Sequence, residues 1–165
     1  MRFFGLALLS SSVILSACGG GGNADSAKKA DTALTSPPPA PSGATVAAAP
    51  ITGTTIEVKM IGDATGYRFE PANITAKPGD GIKFVAVSTP PHNVSFDPAT
   101  VPPAAKDQLW ANVAATNGTD GASPMLLTVN DTWTLSLGNL PPGKYPIHCT
   151  PHLAMNMKGE ITVAP

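Results

Sequence analysis

The sequence alternates apolar and polar residues in Thr55-Ile56-Glu57-Val58-Lys59-Met60. Such alternation is typical of a strand that buries one face and exposes the other. Further short segments of strand-like composition follow, separated by turns rich in Pro and Gly. Together they predict an all-β fold of about eight strands, an antiparallel Greek-key sandwich or barrel. The later predicted strands cover residues 73–77, 82–88, 93–96, 125–129, 133–137, 144–149 and 158–163.

One segment, residues 97–124, shows little alternation and is longer than an ordinary connection. We therefore expect an insert that is either functional or mobile, irregular or in part helical. Within it, three apolar residues spaced four apart predict a short helix that begins at one of two prolines. These apolar residues are Ala105, Leu109 and Val113.

The composition excludes several classes of protein. The 165 residues leave room for one domain with appendages. The formal net charge is -1 and only 13% of residues are charged, so we expect no nucleic acid partner. The 18 Pro and 16 Gly argue against a helical bundle. With three His and two Cys, the chain can build a single-metal site but not a cluster of several copper or zinc ions.

The N-terminal residues 1–17 have the features of an export signal, since a basic residue precedes a short apolar run. They lead into Leu15-Ser16-Ala17-Cys18, which resembles the lipobox of bacterial lipoproteins. The resemblance implies that Cys18 is lipidated and anchors the protein to a membrane, at the periplasmic side or the cell surface. A plain secretory signal, or a disulfide between Cys18 and Cys149, is an alternative.

Residues 18–50 are rich in Gly, Ala and Pro and contain no aromatic residue. Such a segment buries too little apolar surface to offset the entropy of ordering. We therefore predict a disordered tether at 18–50 and one folded domain at 51–165.

Four residues with metal-binding side chains are predicted to converge at one end of the fold. Cys149, His152 and Met157 lie at the end of a strand, in the following loop and at the start of the next strand. His92 directly precedes another predicted strand and is suited to be the fourth ligand. Two imidazoles and a thiolate with a weak axial thioether select copper in electron-transfer sites. Zinc is a poorer fit, because it normally takes four strong ligands or keeps an open position for water.

Two stretches of sequence resemble the cupredoxins, the small blue copper proteins, and most closely their plastocyanin and pseudoazurin branches. Pro91-His92-Asn93-Val94-Ser95-Phe96-Asp97 is similar to the plastocyanin segment with the first His ligand. Cys149-Thr150-Pro151-His152, followed by Met155 and Met157, is similar to the pseudoazurin ligand loop. The resemblance implies that His92, Cys149, His152 and Met157 bind one type 1 copper ion, and that Asn93 ties the two ligand loops together.

The resemblance leaves the axial ligand open between two methionines. Amicyanin-like loops use a Met at the position of Met155, whereas pseudoazurin-like and plastocyanin-like loops use the position of Met157. We favour Met157, because the surrounding residues follow the longer loop.

The resemblance also implies an electron port, because the second His is the ligand nearest to solvent in the family. An apolar patch is expected to surround His152, formed by Pro91, Pro151, Leu153 and Ala154. His148 precedes Cys149 on a strand, so its side chain points to the opposite face and cannot share the metal. It is either a surface histidine or part of an electron exit route through the Cys149 backbone.

These features predict a monomeric electron carrier that binds its redox partners transiently and is not an enzyme. The alternative is a protein that captures or delivers copper without a redox cycle, and a third interpretation is an accessory to one particular reductase or oxidase. Delivery proteins tend to use exposed clusters of Met or His, which this sequence lacks. An enzyme is disfavoured because all four coordination positions are filled and no pair of nucleophile and base is visible.

Overall fold

The structure is a computed structural model that describes residues 45–165. The predicted signal peptide, Cys18 and residues 18–44 of the predicted tether lie outside the described residues. Residues 45–165 contain seven strands, one α-helix and two short 3-10 turns. The strands are β1 (Thr55–Asp63), β2 (Gly66–Glu70), β3 (Asn73–Ala76), β4 (Gly81–Ala86), β5 (Thr132–Ser136), β6 (Gly143–His148) and β7 (Lys158–Val163). The helix α1 is Lys106–Ala114, and the 3-10 turns are Pro103–Ala105 and Leu153–Met155.

The strands form two sheets, of order β2-β1-β4-β5 and β3-β7-β6. The predicted β-sandwich with a helical insert is confirmed, but its pairing is mixed rather than antiparallel throughout. β1 pairs with β4, and β3 pairs with β7, in parallel. The cause is the path of the chain: it leaves the first sheet after β2, continues in the second sheet as β3, and returns as β4 in the direction of β1.

Two predicted strands are replaced by isolated bridges. Residues 93–96 contribute two bridges, from Ser95 to Ala122 and to His148, and residues 125–129 contribute one, from Leu126 to His92. The Asp131 carboxylate explains the second case, because it accepts hydrogen bonds from the N–H groups of Leu127 and Thr128 and so closes a turn. β2 was not predicted, because only one of its five residues is buried and the alternation is weak.

The core lies between the inner faces of the two sheets. Its centre is aromatic: the Phe84 ring lies 6.0 Å from the Phe69 ring and 5.8 Å from the Trp133 ring, centroid to centroid. The predicted helix is confirmed as a 3-10 turn that ends at Ala105 and continues into α1, which contains Leu109 and Val113. All three apolar residues are buried against this core. The fully buried strand residues include Val58, Met60, Ile82, Leu135, Tyr145 and Ile161.

The strand directions define two ends of the sandwich. At the upper end, β6 finishes and β7 begins, and β1 and β4 arrive from below. At the lower end, β1, β4 and β6 begin. The loops of the upper end therefore bring together residues that are far apart in the sequence. Among residues 45–165, no helix has the length and hydropathy needed to span a bilayer.

Candidate metal centre

Three of the four predicted ligands form one cluster at the upper end. The donor atoms of His92, Cys149 and His152 all lie within 4.8 Å of one another. Cys149 Sγ is 3.8 Å from His92 Nδ1 and 3.4 Å from His152 Nδ1. His92 and Cys149 are fully buried, whereas His152 retains 6% of its exposure and is the member nearest to solvent.

The loop that carries Cys149 is closed by its own backbone. The Cys149 N–H donates to the Met157 carbonyl at 3.0 Å, so the ends of the loop are joined where β6 meets β7. The N–H groups of His152 and Met157 donate to the Cys149 and His152 carbonyls at 3.1 and 3.2 Å. These bonds fix the backbone of the loop from which the side chains of Cys149 and His152 project.

The His92 ring is held by a hydrogen bond on the side remote from the cluster. Its Nε2 lies 2.8 Å from the Ser88 carbonyl oxygen. Because a carbonyl can only accept, Nε2 carries the proton and Nδ1 keeps its lone pair toward Cys149 Sγ. Burial lowers the pKa of His92, although the hydrogen bond to Ser88 opposes this change.

Burial also sets the protonation of the other two donors. It raises the pKa of the Cys149 thiol, and backbone hydrogen bonds from Asn93 and His152 offset part of the rise. It lowers the pKa of His152, and the charge of His92 lowers that pKa further. Near neutral pH the cluster therefore consists of two neutral imidazoles and a protonated thiol.

Asn93 joins the two loops that carry the ligands. Its Oδ1 accepts from the Thr150 N–H at 2.7 Å, and its Nδ2 donates to the hydroxyls of Ser95 and Thr150 at 3.1 and 3.2 Å. The two hydroxyl oxygens are themselves 2.8 Å apart. Asn93 is 5% exposed; its bond to Ser95 is buried, and its two bonds to Thr150 are partly buried.

The two candidate axial methionines differ in burial. Met157 is fully buried beside Cys149, with which it shares a backbone hydrogen bond. Met155 lies in the Leu153–Met155 turn and is 50% exposed. A side chain that faces solvent is poorly placed to be the axial donor of a buried cluster.

Sequence reasoning missed Tyr67, which covers His152. The two rings are stacked, with centroids 3.8 Å apart and planes inclined by 17°. Tyr67 lies on β2, the strand that was not predicted, and shares a face with Phe69 two residues further on. The spacing of these two aromatic residues was the available signal.

The stack predicts that Tyr67 limits access to the metal centre. Tyr67→Ala should speed the loss of bound copper to a chelator by about tenfold, because the His152 ring becomes open to water. Tyr67→Phe keeps the ring and should lose copper at the native rate. Stopped-flow mixing with a Cu(I) chelator measures both rates, and equal rates for all three proteins would contradict the prediction.

The residues of the predicted port differ in their exposure. Pro91, Leu153 and Ala154 are exposed, and Pro151 is half-buried. His148 lies outside the cluster and lines a cleft of about 390 Å³ between residues 97–100 and the start of β7. In that cleft, burial lowers the pKa of His148, Asp97 raises it and Lys158 lowers it.

The upper end also exposes apolar residues that the sequence did not indicate. Leu127 is 65% exposed on the turn that Asp131 closes, next to the bridge between Leu126 and His92. Its exposed apolar neighbours in the sequence or the adjoining loop are Val87, Met125 and Val129.

A β-sandwich with a buried cysteine and two histidines at one end defines a single-metal site of the cupredoxin type. Residues 56–164 match the sequence profile of copper binding proteins of the plastocyanin/azurin family. This match covers most of the folded domain, so the chain belongs to the plastocyanin/azurin family, and its cofactor is copper. The resemblance drawn from the His92 and Cys149 segments is thereby confirmed.

Individual relatives agree with this assignment. The chain is 34% identical over 109 residues to plastocyanin of Nostoc punctiforme, and the alignment covers 66% of this chain and 73% of that protein. It is 32% identical over 118 residues to pseudoazurin of Paracoccus pantotrophus, covering 70% and 68%. The structure of oxidised plastocyanin from Dryopteris crassirhizoma aligns with a TM-score of 0.51 at 32% identity, covering 66% of this chain and 99% of that chain.

Proposed function

We propose that the protein is a type 1 copper protein that carries single electrons between redox partners and catalyses no reaction of its own. The observation that carries the proposal is the cluster of His92, Cys149 and His152, which is buried and held by hydrogen bonds on its outer side. The similar plastocyanins and pseudoazurins are electron carriers rather than enzymes.

The proposed ligands are His92, Cys149, His152 and Met157. The donor set fits copper, because two imidazoles and a thiolate with a weak thioether are typical of copper electron-transfer sites. The burial of Met157 and the exposure of Met155 support Met157 as the axial donor. Bound copper would supply one-electron chemistry.

The protein's own contribution is to keep these donors in place in both oxidation states. Asn93 holds the two loops together, and Ser88 fixes the orientation of the His92 ring. The sheets support both loops, since Cys149 directly follows β6 and Met157 directly precedes β7. Little rearrangement is then needed when an electron arrives, and this favours fast transfer.

The upper end has the properties of a docking face for transient partners. The segments 87–96, 121–130 and 149–157 contain no Asp, Glu, Lys or Arg. They expose the port residues around His152 together with Leu127 and its apolar neighbours. Weak redox complexes bury less than about 1,200 Å², so a small apolar patch is sufficient for transient docking. Electrons would enter and leave through the His152 edge.

The proposed location is the periplasmic side or the outer surface of a bacterial membrane. It rests on the export signal at residues 1–17 and on Cys18 as the lipidated residue. Mass spectrometry of the mature protein tests this part, because a diacylated or triacylated Cys18 supports the anchor and an unmodified N-terminus elsewhere contradicts it.

A redox cycle with retained copper distinguishes the carrier from a protein that delivers copper. Oxidised and reduced copies of the loaded protein should exchange electrons rapidly, as measured by NMR, while the protein loses copper to a strong Cu(I) chelator only over hours.

Leu127→Lys should slow electron exchange between copies of the protein by about tenfold, because two like charges meet on an apolar face. Ile51→Lys, at an exposed apolar residue of the lower end, is the matched control. Rapid stripping of copper with slow exchange would overturn the proposal.

Copper uptake should depend on pH through the Cys149 thiol. Because burial raises the pKa of this thiol, the metal-free protein holds a proton there that copper must displace. The lowered pKa values of His92 and His152 leave both imidazoles already neutral. Apparent affinity should therefore rise about tenfold per pH unit from about pH 7 to 8.5. Competition titrations at several pH values check the slope, and a flat profile would contradict a thiolate ligand.

A further inference from the structure

The segment that precedes β1 is held against the lower end of the domain. Two successive N–H groups, those of Thr52 and Gly53, both donate to the Gly79 carbonyl at 2.9 Å. The Thr54 N–H donates to Asp80 Oδ1, also at 2.9 Å. We call residues 45–54 the N-terminal strap. Its contacts begin upstream of residue 51, where the sequence predicted the end of the tether.

A buried side chain of α1 holds the strap. Asn112 Oδ1 accepts from the Ala49 N–H at 2.8 Å, and Asn112 Nδ2 donates to the carbonyls of Ser136 and Gly138 at 2.9 and 3.0 Å. Asn112 is 1% exposed and Ala49 is 7% exposed. One amide therefore joins the strap, the insert helix and the end of β5, and it is shielded from water.

Neighbouring contacts hold further residues of the strap. Gln108 Nε2 donates to the Ala47 carbonyl at 3.0 Å and to Asn112 Oδ1 at 2.9 Å. The strap also packs closely on Gly138, where an added Cβ would lie 2.7 Å from both the Ala49 Cβ and the Pro50 carbonyl oxygen. The close approach requires glycine at this position.

The contacts of the strap and the metal centre lie at opposite ends of the sandwich. Gly138 follows the lower end of β5, and Gly79 precedes the lower end of β4. Six residues of β4 separate this level from the upper end, which is roughly 20 Å at 3.3 Å per residue. No residue of the insert helix belongs to the metal cluster.

We propose that α1 of the insert is a dock for the chain's own N-terminal strap, and that this dock fixes the attachment of the upstream chain away from the metal centre. The proposal deepens the proposed function, on which it rests, because a carrier attached through residues upstream of Thr45 then keeps its upper end free for partners. Asn112 is the positioning residue. Without it, residues 45–51 would join the free chain and add up to roughly 25 Å of extended reach, because Thr52, Gly53 and Thr54 keep their bonds to Gly79 and Asp80.

Amide hydrogen exchange of the full chain tests the dock directly. The Ala49 amide should be protected in the native protein, and Asn112→Ala should speed its exchange at least tenfold while the amides of β4 and β6 keep their protection. Gln108→Ala is the milder second variant. Gln108 is half-buried, so its loss should speed exchange of the strap amides without destabilising the fold. Asn73→Ala is the matched control, since Asn73 is exposed on β3 and makes no side-chain hydrogen bond within residues 45–165.

Two results would overturn the proposal: an unprotected Ala49 amide in the native protein, or Asn112→Ala leaving its protection intact. A uniform rise of exchange across both sheets in Gln108→Ala would also overturn it, because the contact would then support the core rather than the strap. These measurements need no copper, so a failure of the dock is distinct from a failure of the electron-carrier function.

A distance measurement tests the orientation. A nitroxide on Ala48→Cys, attached after copper loading in a Cys18→Ser background, should give one narrow distance to Cu(II) of about 20 Å or more. Asn112→Ala should broaden that distribution, and Asn73→Ala should not. A narrow distance clearly below 20 Å, or a broad distribution in the parent protein, would contradict a strap docked at the lower end.

Discussion

Cys149→Ser is expected to abolish the intense visible absorption of the copper-loaded protein. That absorption arises from charge transfer between a thiolate and Cu(II), and Cys149 is the one cysteine among residues 45–165. Copper affinity should fall by more than about 100-fold. A residue that only hydrogen-bonds to a metal ligand costs up to about 100-fold when it is lost, and Cys149 is proposed to be a ligand itself. Absorption spectra and competition titrations of the two proteins measure these effects. An unchanged visible band in the variant would remove the basis of the proposed site.

The variant should still fold, which makes the result interpretable. Serine has nearly the volume of cysteine, and burying its hydroxyl costs about 1–3 kcal/mol. Circular dichroism should therefore show the native β spectrum with a lower midpoint of thermal unfolding. Met155→Leu is the matched control, because Met155 is exposed on the same loop, and this variant should keep the visible band. Loss of the band in Met155→Leu would show that the band is sensitive to any change in this loop, and Cys149→Ser alone would then not identify the thiolate ligand.

The cluster could be predicted because most of its geometry is local. Cys149, His152 and Met157 lie within nine residues, and a loop between two neighbouring strands keeps such residues together. The position of His92 is not local, but the strand-like pattern after it and the proline break before it placed it at the same end. The resemblance to known ligand loops supplied the rest.

Tyr67 could not be predicted, because its contact with His152 is tertiary and its strand carries a weak signal. The registers of β1 with β2 and with β4 bring Tyr67 to the upper end. The register of β2 cannot be read from a strand in which a single residue is buried. Stacking on an imidazole also requires no particular spacing from it in the sequence.

Two further features that the sequence did not indicate depend on single side chains. Asp131 closes the turn that interrupts the predicted strand at 125–129. Asn112 holds Ala49, although 63 residues separate them. The composition of the Ala-rich residues 45–50 could not reveal that a single buried amide accepts a hydrogen bond from the Ala49 backbone.

Asn93→Ala is expected to weaken both the fold and the retention of copper. The change removes three side-chain hydrogen bonds, two of which join the His92 loop to Thr150 of the Cys149 loop. At about 1 kcal/mol for each bond, the free energy of unfolding of the metal-free protein should fall by about 2–4 kcal/mol. Urea unfolding measures this loss. Copper should leave at least about tenfold faster in the presence of a chelator, because the two loops no longer hold their ligands in register.

Ser95→Ala tests whether copper is retained by the link between Asn93 and Thr150 or by the polar contacts around Asn93 in general. Ser95 is one of the two hydroxyl partners of Asn93, so its removal leaves the bond between Asn93 and the Thr150 N–H in place. We expect a loss of about 1 kcal/mol in this variant and nearly native release of copper. If Ser95→Ala released copper as fast as Asn93→Ala, the hydroxyl network rather than the link to the Thr150 backbone would hold the loops. If neither variant changed the rate, the closure of the Cys149 loop through Met157 would be sufficient to hold the metal.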